Sequence, residues 1–398
     1  MRRLFFTFFL STAATFSSFA QVDTTKSISE QIMTERDNLL NVLSDSLKKN
    51  EDEIQKLTNR LLTDRIQDRE KIAALEKLQL ALDKRTKTLE EAPKTRVKYN
   101  GQLAFTELLS LQRDLQPARL FSNSQSFFTQ IGSISNLQKY ASFSSWKTEY
   151  DNWYQSQKKS DQMLQLLNGS IGLISDVSNK IPLYGSIVQT VSSGISSAIT
   201  NFGGKFQNLK DKTPSMLKLL NAVSQFENQK AIIDHEWEQI NKELNQLQIE
   251  NELLLKDQFK YYGINYDDYK SNYLDATLDS DRDKFKNECR ITINEKLNAL
   301  DNDPNTKRKW LGQVEIYMYK VQSLRIRFGN LTNRMLTNMD KYENLIELFS
   351  DDTKFPRELT TSIKETGKSL NVVKKSISET FKPEKYIEDS AIMYIEKN

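Results

Sequence analysis

Apolar side chains return every three or four residues along most of this chain, the spacing that gathers one face of an α-helix. From Ser27 to Ala92 neither Gly nor Pro interrupts the pattern, and Pro93 supplies a stop. Alternating steps of three and four from Leu40 land on Leu43, Leu47, Asn50, Ile54, Leu57, Leu61, Asp64, Asp68, Lys71, Leu75, Leu78, Leu82, Arg85 and Leu89. The spacing predicts a single helix, roughly 100 Å long at about 1.5 Å per residue, whose apolar seam has a polar middle. A helix of that length is not stable alone and needs partners along it.

Lys94 to Gly101 then reads as a basic link, and Leu103 to Leu115 as a helix ended by Gln116-Pro117. Residues 118–167 keep the helical pattern but carry many aromatics, among them Phe121, Phe127, Phe128, Tyr140, Phe143, Trp146, Tyr150, Trp153 and Tyr154, whose expected place is the core. Thr213 as N-cap and Pro214 in the first turn open a helix that runs to Gly263. Within it Ile233, Trp237, Ile240, Leu244, Leu247, Asn251 and Leu254 make a heptad seam, where Asn251 would fix register at a cost in stability. A Tyr- and Asp-rich stretch, a shorter helix to Leu300 and a turn over Asp301-Asn302-Asp303-Pro304 follow.

The strongest signal comes next: Trp310, Val314, Tyr317, Val321, Leu324, Phe328, Leu331, Met335, Asn338, Tyr342, Leu345 and Phe349 hold heptad spacing with one polar exception. Aromatics this large fit a bundle better than a two-stranded zipper. After Pro356, Leu359, Ile363, Leu370, Val373, Ile377 and Phe381 mark a last amphipathic helix, with a short tail beyond Pro383. No strand-like alternation is long enough for a sheet. The expected fold class is all-α: an elongated bundle of long heptad-patterned helices with a central apolar helical hairpin. In chain order the segments are 1–20, 21–162, 163–204, 205–355 and 356–398.

Composition agrees with few turns, since Gly is 12 and Pro 7 of 398 residues. Met1 to Ala20 has the plan of a secretory signal peptide: Arg2 and Arg3, an apolar stretch from Leu4 to Phe16, and Ser18-Phe19-Ala20 before Gln21. Export to the periplasm, the cell surface or the medium is therefore expected. Cys289 is the one cysteine, so no disulfide within the chain can support the fold. The 56 basic and 53 acidic residues are interspersed, which argues against nucleic acid as a partner, because such a face needs clustered Lys and Arg.

A single histidine removes most catalytic and metal constellations. His235 begins a zinc-protease-like sequence, Asp234-His235-Glu236-Trp237-Glu238, but Gln239 stands where a second histidine would have to be. Pairing Cys289 with His235 as nucleophile and base lacks any surrounding signature. Asp279, Asp281, Asp283 and the Asp301-Asn302-Asp303 turn lack the order of a calcium loop, and Gly203-Gly204-Lys205 lacks that of a phosphate loop. No catalytic, cofactor or metal residue is assigned, and a non-enzymatic protein is expected.

Residues 163–204 stand apart. Between Asn168 and Gly204 only Asp176 and Lys180 are charged, in a chain where charged residues are 27%. Pro182 divides two arms, 163–181 and 185–203, each approaching the roughly 30 Å apolar thickness of a bilayer if helical throughout. The second arm has one apolar face and one neutral, hydroxyl-rich face made of Gln189, Thr190, Ser192, Ser193, Ser196, Ser197, Thr200 and Asn201. Uncharged polarity suits places where charge is expensive: a helix interface, a membrane or a pore wall. The candidate membrane-interacting residues are Leu173, Ile174, Val177, Ile181, Leu183, Ile187, Val188, Val191, Ile195, Ile199 and Phe202, with membrane lipid as the partner and plain burial in the bundle as the competing placement.

An exported chain of long heptad helices interrupted near its middle by an apolar hairpin resembles the helical pore-forming toxins of the cytolysin A and haemolysin BL type. The likeness lies in layout from Ser27 to about Phe349 and rests on residues 163–204, with no shared motif. It implies a hairpin packed away in the soluble form that enters a bilayer on oligomerisation. The competing expectation is a periplasmic or surface scaffold that binds a helical partner protein.

Overall fold

The computed structural model describes residues 27–61, 68–116, 124–157, 162–175, 185–198, 206–306, 309–392 and 394. Among them every element is helical and no strand occurs, so the protein is an all-α bundle of long helices. In chain order the α-helices are α1 (Ile28–Leu61), α2 (Asp68–Asp114), α3 (Gln125–Gly132), α4 (Ala141–Gln155), α5 (Gln162–Ser175), α6 (Gly185–Ala198), α7 (Gln207–Tyr262), α8 (Tyr266–Tyr269), α9 (Asp279–Asn302), α10 (Lys309–Phe349), α11 (Arg357–Thr380) and α12 (Pro383–Ile392). Two 3₁₀ turns lie between α3 and α4, and a π-turn, Lys270–Leu274, follows α8. The chain forms two compact units, one from Met1–Arg113, Ile249–Ile326 and Glu388–Asn398, the other from Asp114–Gln248 and Arg327–Ile387.

In the first unit, the expected single helix from Ser27 to Ala92 is instead an antiparallel pair. Ser29 Oγ donates to Glu107 Oε1 at 2.6 Å, Arg36 to Asn100 Oδ1 at 2.8 Å and Arg85 to Glu51 Oε1 at 3.1 Å, so α2 partners move back toward its start as α1 advances. A 3.5-residue repeat is the same in a rod and in a hairpin, which is why the pattern alone did not reveal the reversal. Pro93 and Gly101 do not end the helix either, because α2 runs through both. Gly101 marks a close approach: a Cβ there would lie 2.7 Å from Val314 Cγ1 on α10.

The seam read along α1 faces inward, with Leu40, Leu43, Leu47, Ile54 and Leu57 at least half-buried and Asn50 buried. On α2 the helix is turned by one row from the expected phase. Ala74 and Ala81 are buried, whereas Leu75, Leu82 and Leu89 are 54%, 43% and 52% exposed. Leu78, between the two alanines, is half-buried as expected, while the row of Leu75, Leu82 and Leu89 is left outside.

The buried Arg325 is ion-paired with Glu107 and donates to Ser390 Oγ at 3.0 Å, while Gln322 donates to the Ser390 carbonyl, so the end of α12 around Ser390 is docked in this unit. Gly263 at φ +75° ends α7, with the Ile264 amide returning to the Phe259 carbonyl, a Schellman arrangement.

The second unit holds the aromatic helices where the pattern placed them. Phe127, Tyr140, Phe143, Trp146, Tyr150 and Trp153 are buried; Phe121 lies outside the described residues. Thr213 is not an N-cap, since α7 already begins at Gln207. It is fully buried, donates to the Leu209 carbonyl and accepts from Trp146 Nε1 at 3.0 Å, so a hydroxyl read as a helix signal serves as the tryptophan's partner. Glu358 on α11 accepts from the Ser142 amide and hydroxyl, capping the start of α4.

All twelve positions from Trp310 to Phe349 are buried, and so are the six read along α11 and its end. On α7 the seam holds from Ile233 to Asn251 and then drifts from Leu254 to Leu255, as a straight helix does against a strict heptad.

Candidate functional site

Helices α5 and α6, fourteen residues each, belong to the second unit and carry no charged residue. Each presents an apolar row at helical spacing: Leu167, Ile171 and Ile174 on α5, Val188, Val191 and Ile195 on α6. All six are buried. The arms meet where α6 has a glycine. A Cβ at Gly194 would lie 2.9 Å from Leu167 Cδ1 and 3.5 Å from Leu167 Cβ, closer than a side chain there would allow.

Two serine hydroxyls return to their own helix. Ser196 Oγ donates back to the Ser192 carbonyl at 2.7 Å, and Ser175 Oγ to the Ile171 carbonyl at 2.5 Å. Each bond satisfies the hydroxyl within its own helix, as at exposed Thr86 and at Thr88 on α2. Gln138, on the 3₁₀ turn before α4, donates to the Ser175 carbonyl at the end of α5.

The outward side of α5 carries two leucines among neutral residues. Leu166 is 66% and Leu173 45% exposed, seven residues apart on α5, with Gly169 and Gly172 exposed between them. On α6, Gln189, Thr190, Ser193 and Ser196 face outward.

Of the residues singled out from sequence, Ile174, Val188, Val191 and Ile195 come together in the buried seam between the arms, and Leu173 is on the outside. Val177, Ile181, Leu183, Ile199 and Phe202 lie outside the described residues; Ile187 falls within α6, but its side chain is outside what the structure describes. Leu166, Leu167, Ile171 and Gly194 were missed. The three-four spacing of Leu167, Ile171 and Ile174 was the available signal on the first arm, obscured because Leu166 and Leu173 beside it are equally apolar. Among the described residues no helix is long and apolar enough to cross a membrane, and at about 1.5 Å per residue each described arm is about 21 Å long.

His235 is exposed, with its Nε2 3.5 Å from Gln239 Nε2. Cys289 is buried, and burial pushes its thiol up to about 12. Asp279 pairs with Arg282 at 2.7 Å and Arg113 at 3.4 Å, and Asp283 with Lys286. Among the described residues no group of His, Cys, Asp and Glu is placed to hold a metal ion.

The fold and this hairpin define a class, an all-α bundle carrying an uncharged helical hairpin. Comparison with known proteins found no matching family model, no matching curated protein and no matching solved structure.

Proposed function

We propose that this is an exported, non-enzymatic helical-bundle protein whose α5–α6 hairpin engages membrane lipid, docking on or inserting into a bilayer, with pore formation following oligomerisation. The observation that carries the reading is the absence of charge from α5 and α6, in a chain whose long helices are heavily charged. A hairpin that only filled a corner of the bundle would have no need of a neutral outer surface, since solvated helix faces ordinarily carry Lys and Glu. Exposed leucines on that surface add the apolar contact that lipid rewards. The test is co-flotation of the mature protein with phosphatidylcholine vesicles, together with release of a trapped dye. Binding with release supports the whole reading, and binding alone supports docking. Absence of any binding removes the membrane role.

A second reading, a scaffold that binds a helical partner protein, is favoured by one observation. The exposed row Leu75, Leu82 and Leu89 adjoins the α1–α2 contact, so α2 carries a wider apolar face than one partner helix covers. If vesicles are ignored, and Leu75→Glu with Leu82→Glu disrupts a complex seen by light scattering or cross-linking, this reading replaces the first.

A further inference from the structure

The proposed membrane role leaves open how a hairpin whose apolar seam is shut could meet lipid. Opening would expose Ile171, Val191 and Ile195, each fully buried, and Leu167, on which α6 closes through Gly194. The outward side needs no such rearrangement. Leu166 and Leu173 already stand in solvent, separated by about 10 Å along α5 at roughly 1.5 Å per residue, with two exposed glycines between them and open space around both glycine Cβ positions.

Resting on that reading, we infer that α5 and α6 bind the bilayer as a closed pair, through the outer face of α5 carried by Leu166 and Leu173, with the seam between the arms left intact. The occupant is a lipid surface, and the charge pattern selects its kind. Neither α5 nor α6 offers a Lys or Arg to anionic headgroups or an acid to repel them, and Asp176 and Lys180, between the two in sequence, carry no net charge. The face therefore suits zwitterionic lipid, taken up by apolar contact and insensitive to salt. Glycines between the two leucines keep the face flat, so the backbone approaches the headgroup region.

The geometry supplies a direct test. A Cβ at position 194 falls 3.5 Å from that of residue 167, within the range a disulfide spans, and Leu167→Cys removes the atom that would clash. The native thiol, Cys289, is buried and does not compete. The full chain carrying Leu167→Cys and Gly194→Cys is oxidised and floated with phosphatidylcholine vesicles at low and high salt, beside its reduced form. A second variant, Leu166→Asp with Leu173→Asp, changes only exposed positions, and its helicity and melting temperature serve as the folding control.

The expected result is equal binding by the locked and reduced forms at both salt concentrations, with a loss of about tenfold or more in the aspartate variant. Loss of binding on locking, restored by reductant, overturns the closed-pair mechanism while sparing the membrane role. Undiminished binding by the aspartate variant overturns the choice of face. No binding by any form, wild type included, overturns both this mechanism and the membrane reading beneath it.

Discussion

Asn251 on α7 donates its side-chain amide to Oε1 of Gln112 on α2, and both residues are sealed from water. The pair places the one polar position of the α7 seam opposite a matching acceptor, so α7 and α2 have one favoured register in the first unit. Asn251→Ala leaves the Gln112 acceptor buried and unmatched, and is expected to lower unfolding free energy by about 1–3 kcal/mol. Replacing both, with Asn251→Leu and Gln112→Met, is expected to cost under about 1.5 kcal/mol. Urea unfolding of the two variants checks this, and equal losses would show that the pair contributes nothing as a pair.

Pro93 lies inside α2 with its ring exposed. Proline cannot donate the helical hydrogen bond to the carbonyl four residues earlier, and its ring crowds that carbonyl. Pro93→Ala is therefore expected to raise stability by about 1–3 kcal/mol, read as a higher urea midpoint with unchanged slope. A lower midpoint would mean that a bend at this point is required by the packing of α2.

Glu227 is buried on α7 beside Lys230, which lies 3.6 Å away, and one of its carboxylate oxygens has no hydrogen-bond partner. Burial raises its carboxyl pKa, opposed by the attraction of Lys230; Asp234 also raises it, and Lys139 on the facing 3₁₀ turn lowers it. A raised folded-state pKa contributes stability that is fully present below the unfolded value and is lost as pH rises through the folded one. Glu227→Gln, which imitates the protonated acid, is expected to be more stable than wild type at pH 7, with the difference shrinking as pH falls toward the ordinary carboxylate range. Thermal melts at a series of pH values decide it, and a variant advantage that grows on acidification contradicts the assignment.

Cys289 packs within α9, and its thiol is pushed up to about 12 by burial, with Glu288 adding to the effect. Because the thiolate is the reactive species, the native protein at pH 8 is expected to resist a disulfide-exchange reagent. Labelling should follow the unfolding transition and reach one thiol per chain. Rapid stoichiometric labelling under native conditions would show that α9 opens far more readily than its packing implies.

The heptad from Trp310 to Phe349 was legible in full because each position's burial depends on a face one helix presents by itself. Asn251 and Asn338 were legible for the same reason. Both are buried and hydrogen-bonded, Asn338 donating to the Ile233 carbonyl at 3.1 Å. The uncharged character of α5 and α6 is also a property of composition, readable before any folding.

What tertiary structure decided is which rows meet. The reversal that pairs Arg36 with Asn100, the choice of Ala74 and Ala81 over Leu75 and Leu82, and the continuation of α2 through Pro93 and Gly101 depend on the surface opposite, which a local period does not encode. Thr213 shows the same limit, since its hydroxyl was equally suited to cap a helix or to receive Trp146. In the hairpin, the sequence established two charge-poor arms whose only charges are Asp176 and Lys180, and only packing assigned Val191 and Ile195 to the seam and Leu166 and Leu173 to the outside. Periodicity belongs to a single helix, whereas the identity of the buried row is settled by the closest fit between two of them.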